Sequence, residues 1–503
     1  MVRKKKESFE HSSKESVDGV VAAAKQGSMS LVKGYIEDDK RLLNSGHGPN
    51  TLLKCAIGCG ETEIVKYLVG FKELDVNLLA AKITKDSPTC KCCVVDDIGP
   101  FPPLFLAAVH GHLEIVKLLL GRQEIKINFR EPSKGLTALS IAAATGHTEV
   151  VKLMFQDPRI DVNVKTEKGT DLHSLAINGC ANGNDVKMAK LFINNPDIKV
   201  NDVDLEGFTP LHYAAQRGKT RIVERLLAHK NIEVNAHVKN KRDHRVPLQL
   251  AIQESELDIA KLFLKHADID VNIKDGDSWS LLHVAFLSYK NLSVSIAIIK
   301  LLLTHKDINV NCKAESNNNG TPFYWAACKA TEDRRILQIV KLLLEHGVDA
   351  NAVDSYGQSP LMCAASYAEG IDVVKVLLNY KGLDLRVNYQ TPKYGATAFC
   401  MACRLGHTQI VKVFLECKLG DIDFDLASHD GNTPLKHAIE GRHSDIVRLL
   451  LERQRVERAV ERPLPTIISS EKDVKKQKKE LRRKKEALDL KELEKELNLD
   501  VLD

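Results

Sequence analysis

The chain has 503 residues, 44% of them hydrophobic and only 5% aromatic, and its 72 Lys and Arg against 67 Asp and Glu leave a net charge of +5. Single hydrophobic cores stop growing at about 250 to 300 residues, which excludes one globule and favours thin layers packed by Leu, Ile, Val and Ala. So small a charge over this length says little about partners. The chain opens Met1-Val2-Arg3-Lys4-Lys5-Lys6-Glu7 without an apolar leader and has no apolar run of about 18 residues, so a reducing cytosolic or nuclear setting is expected. In that setting Cys55, Cys180, Cys328, Cys363, Cys400 and Cys403, which sit in or beside helix patterns, read as small apolar fillers.

In chain order, residues 1–16 are charged and Ser-rich without periodic apolar positions, and are expected to be disordered. From Val17 to about Asn44 runs a degenerate first copy of a layout that then recurs. Copies start near Asn50-Thr51-Leu52-Leu53, Pro102-Pro103-Leu104-Phe105, Gly135-Leu136-Thr137-Ala138-Leu139 and Gly169-Thr170-Asp171-Leu172-His173. The fullest form is Gly207-Phe208-Thr209-Pro210-Leu211-His212-Tyr213-Ala214-Ala215-Gln216-Arg217-Gly218, followed by Ile222-Val223-Glu224-Arg225-Leu226-Leu227 and Val234-Asn235. Later copies start at Val246-Pro247-Leu248, Ser280-Leu281-Leu282-His283, Gly320-Thr321-Pro322-Phe323, Gly357-Gln358-Ser359-Pro360-Leu361, Gly395-Ala396-Thr397-Ala398-Phe399 and Gly431-Asn432-Thr433-Pro434-Leu435. A closing Asn serves as the ruler: Asn77, Asn128, Asn163, Asn201, Asn235, Asn272, Asn311, Asn351 and Asn388, with Asp425 in the same role. After the first interval the steps are roughly 34 to 40 residues and the copies number about twelve, the signature of a solenoid.

Each unit has a physical reading. Thr209-Pro210 places a capping hydroxyl outside the first helical turn and a residue without an N–H inside it, where no donor is missed. Leu211, Ala214 and Ala215 form one apolar stripe of small residues that admits a neighbouring helix closely. Gly218, Gly146 or Gly406 ends that helix, and a second helix follows, as in Glu149-Val150-Val151-Lys152-Leu153-Met154 or Gln409-Ile410-Val411-Lys412-Val413-Phe414-Leu415. An extended piece such as Ile160-Asp161-Val162-Asn163 and a polar turn close the unit. So small a pair cannot bury its apolar face alone, and neighbours supply the rest of the core.

The order Thr-Pro-Leu-His, Ala-Ala, Gly-His, Ile-Val-Lys-Leu-Leu-Leu and Asp-Val-Asn resembles the ankyrin repeat, over residues 17–454. The resemblance implies an all-α fold: an ankyrin-repeat solenoid of helix-turn-helix pairs with turn or β-finger connections. This chain departs from the pattern by a lengthened turn at 78–99 and by extra residues between helices at Leu175–Lys187, Val284–Ala297, Ala326–Leu337 and Ala364–Asp372, which are expected as loops. It also implies a concave surface that binds other proteins. By matching positions, the contact candidates are Val203, Leu205, Glu206, Phe208, Gln216 and Arg217 in the clearest unit and Ser355, Tyr356, Gln358, Ser366 and Tyr367 later. Tyr324, Trp325, Tyr389 and Tyr394 add aromatics, the residue types that anchor interfaces.

Arg462-Pro463-Leu464-Pro465 breaks the last repeat helix, so 455–470 reads as a linker and 471–503, rich in Lys, Glu, Leu and Arg, as a charged helix and possible short coiled coil. Its heptad spacing, Val474, Leu481 and Leu488, restarts in another register at Leu490, which leaves at most weak self-association. Within it, Lys475, Lys476, Lys478, Lys479, Arg482, Arg483, Lys484 and Lys485 form a run that reads as a solvated face, an import signal or a polyanion contact. It lacks interleaved aromatics, so specific nucleic-acid binding is not expected.

Catalytic patterns fail on inspection. Gly218-Lys219-Thr220 would need a Gly where Tyr213 stands, and Gly58-Cys59-Gly60 lacks a third Gly and follows a helix instead of a strand. His110, His112, His147, His173, His212, His283, His407 and His437 recur in step with the repeat, which points to structural hydrogen bonding near helix ends. Cys90, Cys92 and Cys93 crowd around Lys91 in the insertion and could hold zinc with Cys59 or His110, or be redox-sensitive; a zinc signature needs two Cys-x-x-Cys pairs, so no metal or other cofactor is expected. The function expected is a non-catalytic intracellular scaffold or adaptor, not an enzyme. The alternatives are a nuclear regulator of transcription or signalling addressed by the Lys/Arg run and a recruiting subunit of an enzyme complex such as a ubiquitin ligase.

Overall fold

The computed structural model describes residues 17–79 and 101–461, apart from short stretches at 45, 48–49, 133–134, 167–168, 181–182, 240–243, 288–290, 316–317, 381–382 and 418–421. The disordered N-terminus expected at 1–16, most of the 78–99 insertion with Cys90, Cys92 and Cys93, and the tail from 462 with its Lys/Arg run lie outside the described residues.

Helices of six to eight residues have no independent stability, so their formation rests on caps and neighbours. The caps are where the composition places them. Thr209 Oγ1 accepts from the His212 N–H, Ser359 Oγ from Met362 and Thr397 Oγ1 from Cys400, with Pro210 and Pro360 in the first turn of their helices. Gly146 and Gly406 close their first helices at φ 81° and 79°, a left-handed backbone that other residues adopt only with strain.

Helices then stack in two rows. Pro210–Gln216 packs between Asp171–Asn178 and Pro247–Gln253, while Thr220–Leu227 packs between Asp185–Ile193 and Leu257–Leu264. Leu211, Ala214, Ala215, Ile222, Val223 and Leu226 are all buried, and one apolar cluster continues from Val20 to Leu450. No unit owns this core; each face is shared with the next unit. Among the described residues, β-structure is confined to a two-residue hairpin, Gly46–His47 with Asn50–Thr51, and isolated bridges such as Thr166 with Gly169.

The closing Asn is a clamp between units. Asn163 donates from Nδ2 to the Asp197 carbonyl at 2.8 Å and accepts from the Lys199 N–H at 2.9 Å. Asn44, Asn77, Asn128, Asn201, Asn235, Asn272 and Asn351 make the same pair of bonds to the following unit. A carboxylate lacks the donor, which is why the amide recurs. Asp425 departs from this pattern: its Oδ1 accepts from Gln454 Nε2 at 3.1 Å.

Three expectations are corrected. The extra residues between helices mostly become helical: Leu292–Leu303 and Pro322–Glu332 are long, and Arg334–Ile336 and Ala368–Gly370 are 3-10 turns, because a helical turn satisfies its own backbone groups where a loop must find partners. The last helix runs Ser444–Glu461, through the first residues assigned to a linker, and stops before Pro463. Cys328 and Cys363 are not fillers but partners in a disulfide, with Cα atoms 5.7 Å apart.

Candidate protein-interaction face

Five of the eight repeated histidines are tied through the ring to the backbone of another unit. His212 Nδ1 accepts from the Thr209 N–H at 3.1 Å and lies 2.7 Å from Thr209 Oγ1, while Nε2 donates to the Arg245 carbonyl at 3.3 Å. His173 reaches Phe208 in the same way at 3.0 Å, and His283 reaches Gly320 at 3.2 Å. Gln249, in the His212 register, accepts from the Val246 N–H and donates to the Trp279 carbonyl at 3.1 Å. Each of the four bonds the residue just before the next unit's cap. These rings are neutral with the proton on Nε2; burial holds His173 below the usual histidine range and pushes His283 down to about 4. His147 and His407 reach backward instead, to the Val109 and Ser366 carbonyls at 2.9 and 3.1 Å. His437 Nε2 lies 2.9 Å from Ser428 Oγ. His110 and His112 stack at 5.5 Å, and burial, with His110 and His147 nearby, lowers the pKa of His112.

Fingers between units are held by carboxylates. Asp204 Oδ1 accepts from the Glu206 and Phe208 N–H groups, and Oδ2 from the Tyr213 hydroxyl at 2.6 Å. Burial first and Asp204 second push the Tyr213 phenol above its usual range. Asp354 repeats the arrangement with Tyr356, Gln358 and, from the preceding unit, the Tyr324 hydroxyl at 2.9 Å. Such fingers present their tips without further ordering.

At those tips Leu205 and Tyr356 are 86% and 67% exposed; Tyr394, on a finger where Thr391 Oγ1 accepts from the Ala396 N–H, is 59% exposed, and Tyr367, just past the helix Pro360–Ala365, is 53% exposed. Glu206, Arg217 and Ser355 are exposed; Val203, Gln216, Trp325, Gln358, Ser366 and Tyr389 are half-buried. Phe208 and Tyr324 are buried and offer no surface. Phe208 stacks on Tyr213 at 5.1 Å, and Tyr324 occupies the inward register of His212, so its ring enters the layer and only its hydroxyl finds Asp354. Trp279 was not anticipated: it stands in the register of Phe208, half-buried, its ring 5.6 Å from Trp325, which shares the register of Tyr213. Aligning positions on Thr209 would have found it, as it would the exposed Leu405 in the Arg217 register.

Elsewhere, a cleft of about 590 Å³ opens between second helices, lined by Lys152, Phe155, Lys187, Lys190 and Leu191. Among the described residues, no group of His, Cys, Asp and Glu is arranged to hold a metal ion, and no helix is long and apolar enough to cross a membrane.

A family model described as ankyrin repeats, in three copies, matches residues 78–166, 174–275, 282–389 and 372–459. The chain belongs to the ankyrin repeat family. Among its relatives, palmitoyltransferase AKR1 of Debaryomyces hansenii is 29% identical over 50% of this chain and 29% of its own length. The human transient receptor potential cation channel subfamily A member 1 is 26% identical over 84% of this chain and 38% of its own. Alpha-latrotoxin-Lg1a of Latrodectus geometricus is 33% identical over 20% of this chain and 7% of its own length. The chain thus spans well under half the length of these curated relatives.

Proposed function

We propose that this ankyrin-repeat chain is a non-catalytic scaffold or adaptor inside the cell, cytoplasmic or nuclear, that binds a protein partner along its finger face. One observation carries the reading. Leu205, Tyr356, Tyr367 and Tyr394 are large, exposed and set at or beside fingers whose backbone is already fixed, by Asp204 and Asp354 in two of them and by Thr391 in the finger of Tyr394. Aromatic anchors on a rigid frame bind with little ordering cost. Val203, Glu206, Gln216, Arg217, Trp325, Ser355, Gln358, Ser366 and Tyr389 flank them and form the remainder of the surface. The histidines are set aside as catalytic bases because both ring nitrogens of His173, His212 and His283 are engaged. The Lys475–Lys485 run serves in this reading as a second contact or an address.

The test is recovery of the intact chain from its native cell with whatever stays bound, beside a Tyr356→Ala, Tyr367→Ala, Tyr394→Ala variant. A protein retained by the first and lost by the second supports the reading. Proteins retained equally by both overturn it.

A further inference from the structure

We propose that Cys328 and Cys363 form a reversible dithiol–disulfide couple that sets how firmly the aromatic stretch of the finger face around Tyr367 is held. The inference rests on the finger face being the working surface, and it adds a means of regulating it.

Placement is the first argument. Cys328 lies on Pro322–Glu332 and Cys363 on Pro360–Ala365, the first helices of adjacent units, so the bond joins two layers across 35 residues of sequence. Cys363 shares the face register of Tyr213, and Cys328 follows Trp325 by one helical turn. A Cα separation of 5.7 Å falls within the range of about 4.4–6.8 Å that a disulfide spans without backbone movement.

Need is the second. Pro360–Ala365 has six residues, fewer than any other α-helix among the described residues. It passes into the 3-10 turn Ala368–Gly370, where a Cβ on Gly370 would overlap the Ala364 carbonyl. The forward polar tie that His173, His212, Gln249 and His283 supply is also missing, because Met362 holds that register. A cross-link therefore sits where the first helix is shortest and this tie is absent, four residues before the exposed Tyr367.

Access is the third. Cys363 is 5% exposed and Cys328 half-buried, so Cys328 is the sulfur a small oxidant can reach. Cys55, Cys400 and Cys403 are buried, and burial pushes the Cys400 thiol up to about 11. With oxidised glutathione as the oxidant, the Cys328 thiolate attacks one glutathione sulfur and expels the other as a thiolate, leaving a mixed disulfide. The Cys363 thiolate then attacks Cys328 Sγ and expels the second glutathione. One S–S bond breaks and one forms, two cysteine thiols are oxidised, and their protons pass to the two glutathione thiolates.

The full chain, equilibrated with oxidised glutathione or with dithiothreitol, is alkylated, digested with trypsin and mapped. Oxidation should join fragment 314–329 to fragment 342–375, each of which holds one cysteine, with the loss of two hydrogens. Amide exchange in 360–370 should be about ten-fold faster in the reduced chain and indifferent to redox state in Cys328→Ser. Thiols that stay open to alkylation under oxidant, a different pairing, or exchange unchanged by reduction would each overturn the proposal. These readouts need no binding partner, so they succeed or fail independently of the Tyr356, Tyr367 and Tyr394 test.

Discussion

The unit built on Pro210–Gln216 and the unit built on Pro360–Ala365 have the same finger, fixed by Asp204 in one case and Asp354 in the other, but join their neighbours differently. The far ends are clamped in both, by Asn201 and Asn235 in the first and by Asn351 in the second, but in the first His212 also ties the helix to the Arg245 carbonyl ahead. In the second, Met362 replaces the histidine, the first helix is shortened, and the Cys328–Cys363 bond supplies a link backward. Repeat solenoids are approximately sums of unit and interface terms. The regular unit meets its interface term with buried hydrogen bonds that are always present. The irregular unit meets part of it with a bond that can be opened, and it lies beside Tyr367.

The comparison can be broken at the regular unit. His212→Ala should leave the Thr209 N–H unpaired in a buried layer, remove the ring's bond to the Arg245 carbonyl, which keeps only the Val238 N–H, and open a cavity, destabilising by about 3 kcal/mol in urea unfolding. Met362→Leu at the same register should change stability by less than about 1.5 kcal/mol, since only volume is redistributed. Equal effects at both sites would show that the histidine tie contributes nothing beyond packing.

A second departure sharpens it. Asp171 stands where Pro210 stands in the regular unit; it is fully buried, one oxygen lacks a partner, and burial raises its pKa to about 7 although a Ser140 hydrogen bond opposes the shift. The folded chain then holds a proton that the unfolded chain, titrating near 3.8, has released, so stability falls as pH rises from about 4 to about 7. Asp171→Pro keeps an allowed N1 residue and removes the buried acid. Its stabilisation should be larger at pH 8 than at pH 5 by on the order of 2 to 3 kcal/mol, read from paired urea midpoints. A gain independent of pH would place the effect in the backbone instead.

Much of the fold was legible because its signals are local and repeated: Thr209 before Pro210, Gly146 after the first helix, Asn163 after the second. What those residues bond to was not, since Asn163 meets Asp197 and Lys199 only once the next unit is in register. Arg122 and Arg159 escaped notice for the same reason. Their guanidinium groups cap the Val69 and Leu120 carbonyls at the ends of the preceding second helices, a partnership about one unit away in sequence. For the face, matching positions chose the exposed Tyr356 but also the buried Phe208, and adding aromatics by type chose the exposed Tyr394 but also the buried Tyr324. Register against Thr209 separates Tyr324, because the position of His212 enters the layer in the units that have a following one; in the last, Lys436 is exposed. The disulfide needed the stacking offset of two unequal units, which composition does not contain.

The Asn clamp offers a smaller and cleaner perturbation. Asn163→Asp preserves the acceptor for the Lys199 N–H but turns a carboxylate oxygen toward the Asp197 carbonyl, so one bond is lost and one repulsion gained at an exposed edge. The expected cost is about 1 to 2 kcal/mol, with faster amide exchange confined to the two units that meet there. Smallest of all should be Tyr356→Ala. Its ring is 67% exposed, so stability should change by no more than about 0.5 kcal/mol, while a partner anchored on the finger face should be lost. A variant that unfolds as readily as Asn163→Asp would mean that the ring braces the finger. In that case its exposure would reflect structure, and the binding surface would have to be sought nearer Leu205.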